Sequence, residues 1–248
     1  MRSLSAQQIV RVWEIGQGQH FLDRALTLLT VACPEQSATA LASLSVGQRD
    51  AYLLRLRELT FGDKFTSVAP CPHCGERLES NLNVSDFRIV DLQPPPPLEQ
   101  SPEYQCRIAE FELRFRLPNS WDLAAIVGQR NVMQAKSLLE QRCLLEASLN
   151  GRSLTYDQLP VEVIQQLGMQ LTECDPQAEI LLNFKCPACE HTWNLLFDIV
   201  TFFWTELTAQ AKRLVREVHM LARFYGWREA DILAMTTARR QLYLSLCT

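Results

Sequence analysis

The chain has 248 residues, 47% hydrophobic and 21% charged, with nine cysteines and a formal charge of −4. That length and apolar fraction allow one large domain or two small ones, and they exclude disordered, collagen-like and low-complexity classes. With 24 Lys and Arg against 28 Asp and Glu, the chain lacks the broad basic face that nucleic-acid binding needs.

In chain order, residues 5–16 and 21–32 read as helices, the second with Leu22, Ala25, Leu26, Leu28 and Leu29 crowding one side. A third opens at Ser45 or Gly47, runs to Leu59 and is ended by Gly62. Strand-like runs at 65–69 and 77–84 follow, and the prolines at 94–97 form a stiff spacer. Residues 104–117 alternate Phe111, Leu113 and Phe115 with Glu112, Arg114 and Arg116, the pattern of one half-buried strand. Pro118-Asn119-Ser120 then caps a helix beginning near Trp121, and helices are expected over 131–149 and 161–173. Further strand-like runs cover 178–184 and 192–199.

Beyond them, Trp204, Leu207, Ala211, Leu214, Val218, Leu221 and Tyr225 recur at steps of three and four, a continuous apolar seam that Gly226 breaks. Short helices are expected over 228–235 and 236–246, the second capped by Thr236 or Thr237. The seam reads as core. A partner surface is the alternative, since the C-terminal third has little of itself to pack on.

The N-terminal segment has one early Arg and no continuous apolar run, so no secretory leader is expected. No run of about 18 apolar residues exists, so no membrane insertion is expected. A cytosolic setting is therefore expected, where thiols stay reduced, and nine is in any case an odd number for complete pairing.

Spacing sorts the cysteines. Cys71-Pro72-His73-Cys74 and Cys186-Pro187-Ala188-Cys189 each lie between two strand-like runs; Cys33, Cys106, Cys143, Cys174 and Cys247 are isolated and read as small buried hydrophobes. A strand, Cys-Pro-x-Cys, strand unit is a zinc knuckle, and two of them supply the four thiolates of a closed, structural Zn²⁺ site: Cys71, Cys74, Cys186 and Cys189. About 110 residues separate the doublets, against roughly 15–20 in a contiguous ribbon. The ribbon is therefore split by an insert, which the slow growth of loop-closure entropy permits. His73 and His191 are substitute ligands at most, with four sulfurs at hand.

The rival reading makes Cys71 and Cys74 the active site of a thiol–disulfide oxidoreductase. It requires a helix after the doublet, where Gly75, Glu76 and a strand-like run stand, and it leaves the second doublet unexplained. A zinc-ribbon nucleic-acid binder is weaker still, because Lys64 and Lys185 are the few lysines near the knuckles. No catalytic constellation emerges elsewhere. Gly16-Gln17-Gly18-Gln19 lacks the strand and third glycine of a dinucleotide turn, and His20 and His219 are lone histidines of helical segments.

The fold class that follows is α+β: mostly helical, with a split zinc-ribbon-like β module carrying an inserted subdomain and a helical C-terminal region. The expected divisions are an N-terminal helical region at 1–64, the split module at 65–93 plus 178–200, the insert at 94–177 and the C-terminal helices at 201–248.

Asp198-Ile199, Glu206-Leu207, Glu217-Val218-His219, the run from Tyr225-Gly226-Trp227 to Leu233, and Arg239-Arg240 with Tyr243 resemble the T4-like phage baseplate and hub assembly family, in the form found with contractile injection systems. The resemblance covers residues 66–85 and about 175–246. It implies a non-enzymatic baseplate component or assembly chaperone whose partners are hub or wedge proteins of the same particle. Zinc rests on the cysteines alone and is not carried over from the family. Tyr225, Trp227, Arg239 and Arg240 are the contact candidates, since Arg and aromatic side chains dominate interface energetics.

Overall fold

A computed structural model describes residues 1–87 and 102–247. In chain order the helices are α1 (Ala6–Gly16), α2 (Phe21–Ala32), α3 (Ala38–Ala42), α4 (Val46–Phe61), α5 (Ser120–Ile126), α6 (Val132–Cys143), α7 (Val161–Cys174), α8 (Ile199–Tyr225), α9 (Glu229–Ala234) and α10 (Thr237–Ser245). The strands are β1 (Lys64–Pro70), β2 (Arg77–Asn83), β3 (Glu103–Ile108), β4 (Phe111–Arg116), β5 (Leu144–Leu149), β6 (Arg152–Leu154), β7 (Leu181–Lys185) and β8 (Thr192–Leu196). Helix and antiparallel sheet together make the chain α+β. The prolines at 94–97 lie outside the described residues.

The chain divides into two compact units. One is helical and comprises Met1–Gln36, Leu53–Asp63 and the chain from Asp198 onward. Its α1 starts at a capping box in which Ser5 and Gln8 exchange side-chain and backbone bonds. Asp198 caps α8 by accepting from the Val200 and Thr201 N–H groups at 2.9 and 3.2 Å, and Gly226 ends that helix with φ +69°. The buried stripe of α8 is Phe203, Leu207, Ala211, Leu214 and Leu221, and it packs on α1 and α2. The apolar seam is thus core, and the N-terminal helices supply the packing surface that the C-terminal third lacks by itself. Trp204 lies across the end of α1 because Gly16 has no Cβ; one there would sit 2.1 Å from the indole. The Arg24 guanidinium stacks over the same ring at 4.7 Å.

The second unit comprises Ser37–Tyr52 and Lys64–Phe197. Its central sheet is antiparallel in the order β3-β4-β5-β6. One face carries Ile108, Leu113, Phe115 and Ala147, which bury Val163, Leu167 and Leu171 of α7 and Cys143 of α6. Four expectations are corrected here. Residues 104–117 form a hairpin and not one strand: Ile108 pairs with Phe111, and Ala109 takes φ +54° in the turn. The core-facing set shifts from Tyr104, Cys106 and Ile108 to Phe111, Leu113 and Phe115 across this two-residue turn, a one-position break in the alternation that marks the hairpin. The helix expected over 131–149 ends at Cys143, and the chain passes directly into β5, where Ala147 pairs with Leu113 and Leu154. Sheet pairing overrides helix propensity there. The expected strand at 178–184 begins only at Leu181, after a 3₁₀ turn over Pro176–Ala178. The run at 192–199 is strand only to Leu196.

Two two-stranded hairpins, β1–β2 and β7–β8, complete this unit. Phe197 packs, tilted, on Phe87 and Phe65 at 4.7 and 5.8 Å, and the Gln177 amide donates to the Phe87 carbonyl at 2.9 Å. Those contacts hold the hairpins side by side.

Candidate metal centre

Each hairpin turn is six residues long, between the Pro70–Arg77 pair in one and the Lys185–Thr192 pair in the other. Their backbone bonds match. Cys71 N–H donates to the Glu76 carbonyl and Cys186 N–H to the His191 carbonyl, both at 2.8 Å. Gly75 and Glu190 N–H groups donate to the Cys71 and Cys186 carbonyls, both at 2.9 Å. Proline at the second position suits the fixed φ of such a turn.

The geometry brings the four sulfurs of Cys71, Cys74, Cys186 and Cys189 to within 4.8 Å of one another. Cys71 Sγ lies 3.7 Å from Cys189 Sγ, and Cys74 Sγ lies 3.5 Å from Cys186 Sγ. A tetrahedral ion bound by sulfur at about 2.3 Å sets its ligands about 3.8 Å apart. The donor set therefore fits a metal ion, closed by four thiolates with no open position for a substrate. The imidazoles of His73 and His191 stack on each other at 5.5 Å, both exposed. Neither belongs to the four-atom cluster.

Electrostatics distinguish the thiols. Burial pushes Cys71 up, but N–H groups of Cys74 and His73 and the thiols of Cys74 and Cys186 bring it down to about 6. At Cys189 the His191 N–H favours the thiolate, yet burial and the surrounding sulfurs of Cys74, Cys186 and Cys71 push it up to about 12. Packed this closely, four sulfurs resist carrying four negative charges unless a cation sits among them.

The isolated cysteines are elsewhere. Cys33 and Cys143 are buried, and burial pushes the Cys143 thiol up to about 12. Cys106 and Cys174 border the sheet–helix core, and Cys247 Sγ donates to the Tyr243 carbonyl at 3.2 Å.

The contact candidates fall in the helical unit. Tyr225 stacks on Trp227 at 4.4 Å, Tyr243 meets both edge-on, and the exposed Arg239 lies over the Tyr243 ring at 5.7 Å. Arg240 does not join them at the surface. It is 2% exposed, with its Nε bonded to Glu217 at 2.8 Å and Nη1 to the Met235 carbonyl at 2.5 Å. Adjacent helical positions point about 100° apart, so a pair of arginines in sequence splits between surface and core.

Sequence reasoning missed three groups in this second unit. Phe65, Phe87 and Phe197 clamp the hairpins, and only their proximity to strand ends marks them. Asp122, fully buried, holds Arg116 and Arg142. Its one sequence signal is the Asn119-x-x-Asp122 capping box of α5. Asp175 accepts from the Gly47 N–H at 2.9 Å across 128 positions of chain, a contact no local pattern encodes.

The described residues thus form an α+β chain with two cysteine hairpins whose four sulfurs could hold a metal ion. The family model described as T4 bacteriophage base plate protein matches residues 16–204, about three quarters of the 248 positions, and the chain belongs to that family. The match contains both cysteine doublets and stops before the Tyr225-Gly226-Trp227 segment. No curated protein and no solved structure matches. Among the described residues, no helix is long and apolar enough to cross a membrane.

Proposed function

We propose that this protein is a non-enzymatic base plate component or hub assembly factor of a contractile, phage tail-like injection system, held together by a structural zinc site of four cysteines. Membership in the base plate family carries the reading. The closed set of four sulfurs supports a metal with a structural task, because catalytic zinc keeps a position open for water or substrate. Zinc is the ion that four thiolates in a split zinc ribbon select. It joins hairpins 112 positions apart, so its binding energy is part of the folding energy. Hub or wedge proteins of the same particle are the partners, with no role for nucleic acid in a chain of charge −4. Tyr225, Trp227 and Arg239 form the contact surface on the helical unit.

The oxidoreductase alternative is disfavoured by one observation. The Cys71-to-Cys74 turn leads into β2, and no helix N-terminus is there to stabilise a nucleophilic thiolate. Two measurements test the proposal. Metal analysis of purified chain is expected to give one zinc per molecule, and mass spectrometry of isolated particles or of assembly intermediates is expected to find the chain with base plate proteins. A metal-free protein cycling a Cys71–Cys74 disulfide would reverse the assignment.

A further inference from the structure

The second unit has a cleft of about 380 Å³ between the start of α4, α6 and α7. Its walls are apolar: Val46, Pro118, Leu123, Leu139, Leu171 and Leu196. The wall continues outward, since Leu196 pairs with Leu181 across β7–β8 and these two side chains are 57% and 55% exposed. Its polar lining is acidic. Glu140, Asp175 and Glu179 are present against the single Lys136.

Asp175 is accounted for by the fold, through the Gly47 N–H and Ser45. Glu140 is only half accounted for. Its Oε2 accepts from the Tyr156 hydroxyl at 2.8 Å, while Oε1, fully buried, accepts no hydrogen bond. The Lys136 ammonium stands 3.7 Å from that oxygen on a side chain 56% exposed, beyond hydrogen-bond reach and free to swing out. Gly168 lets that oxygen lie close against α7; a Cβ there would be 2.8 Å from Oε1. A buried carboxylate oxygen without a donor is costly, and a donor that arrives with a partner repairs it.

We infer that this cleft is a socket for a basic side chain, Lys or Arg, presented by another base plate protein. The volume lies within the range of binding pockets. A long aliphatic stem fits the leucine walls and its cationic head takes the place of the Lys136 ammonium at Glu140 Oε1, the arrangement that amphipathic cationic side chains favour. Charge complementarity selects the occupant: a neutral apolar side chain would leave Glu140 unsatisfied, and an acidic one would be repelled. The inference rests on the proposed reading that the chain acts through contacts within the base plate.

Two experiments on the full, metal-replete chain test it. In the first, Nα-acetyl-arginine methylamide is titrated against the leucine methyl NMR signals, with the norleucine analogue as the uncharged control. The arginine probe is expected to shift Leu139 and Leu171 saturably, and Glu140→Gln to weaken it about tenfold or more at unchanged melting temperature. Lys136→Met is expected to tighten it by removing the competing ammonium. Equal response to both probes, or no gain in Lys136→Met, overturns the inference and leaves Lys136 as Glu140's internal partner. In the second, a photo-crosslinking residue at Leu196 is carried into assembling particles. The expected adduct is a base plate peptide containing Lys or Arg, lost in Glu140→Gln. Particles that contain the chain but give no such adduct sink the socket while the base plate role stands. Absence of the chain from particles and from every assembly intermediate defeats the base plate role itself.

Discussion

Gly75 and Glu190 occupy the same position in the two Cys-Pro-x-Cys turns, and both take positive φ, +77° and +58°. Glycine adopts that conformation freely, whereas a residue with a Cβ pays a steric penalty of roughly 1–2 kcal/mol. The exposed Glu190 carboxylate recovers little of it from Lys185, 3.8 Å away. Glu190→Gly is expected to stabilise the chain by about 0.5–1 kcal/mol, and Gly75→Ala to destabilise it by a similar amount. Equilibrium denaturation of the two variants at matched metal content checks both signs. Opposite effects at equivalent positions would be the signature of a shared turn.

Metal removal is expected to act on far more than the turns. Cys71 and Cys74 come from the β1–β2 hairpin and Cys186 and Cys189 from β7–β8, so an ion among them closes a loop over 112 positions. Cys186→Ser, or a strong chelator on the wild type, is expected to lower the melting temperature and to expose the Phe65, Phe87 and Phe197 cluster. The loss is expected to be several kcal/mol, given the binding energies of structural zinc. Calorimetry and tryptophan fluorescence through Trp193, stacked on Phe184 at 5.5 Å, report it. Unchanged melting with zinc gone would show that the aromatic clamp suffices.

The clustering of four cysteines was legible because its signal is local and doubled: two Cys-Pro-x-Cys turns, each with strand-like flanks. Helix limits were legible for the same reason. Ser5, Asn119 and Thr236 cap where their side chains suggest, and Gly62 and Gly226 stop helices at positive φ. What stayed hidden is set by distant partners. Nothing local tells residues 144–149 to leave α6 as a strand, because the reason is β4. Arg239 and Arg240 look alike in sequence, and Glu217 on another helix decides which is inside. Polar lining shows the same blindness, since Glu140 acquires its meaning only when Gly168 and the leucine walls are assembled around it.

Asp122 makes a pH-dependent contribution. Burial works to raise its pKa, but Arg116, the Asn119 N–H and Arg142 outweigh it and hold the carboxyl below its ordinary 3.8. The folded value lies below the unfolded one, so this stability is fully present above about pH 4 to 5 and is lost as pH falls through the folded pKa. Asp122→Asn leaves Arg116 and Arg142 without their shared anion and is expected to cost about 2–4 kcal/mol at neutral pH. Its acid unfolding curve is expected to be flatter below pH 4 than the wild type's, as urea titrations across pH can read. Parallel curves would mean that other carboxylates carry the acid sensitivity.

The two neighbouring arginines give the sharpest separation of structure from contact. Arg240 is buried against Glu217, which also accepts from Gln241 at 2.8 Å and faces Arg213 at 3.6 Å. Arg240→Ala removes the Nε donor and strands much of a buried carboxylate, at an expected cost of about 3–5 kcal/mol. Glu217→Gln in the same background is expected to restore part of that loss, since the uncompensated charge goes with it. Arg239 is exposed above Tyr243, so Arg239→Ala is expected to move stability by less than about 0.5 kcal/mol. If the aromatic surface is where partners dock, the same variant weakens capture of base plate proteins without any change in melting. Chemical denaturation alongside co-purification reads both quantities from one set of proteins. An Arg239→Ala protein that melts normally and captures partners at full yield would move the docking surface away from Tyr225 and Trp227.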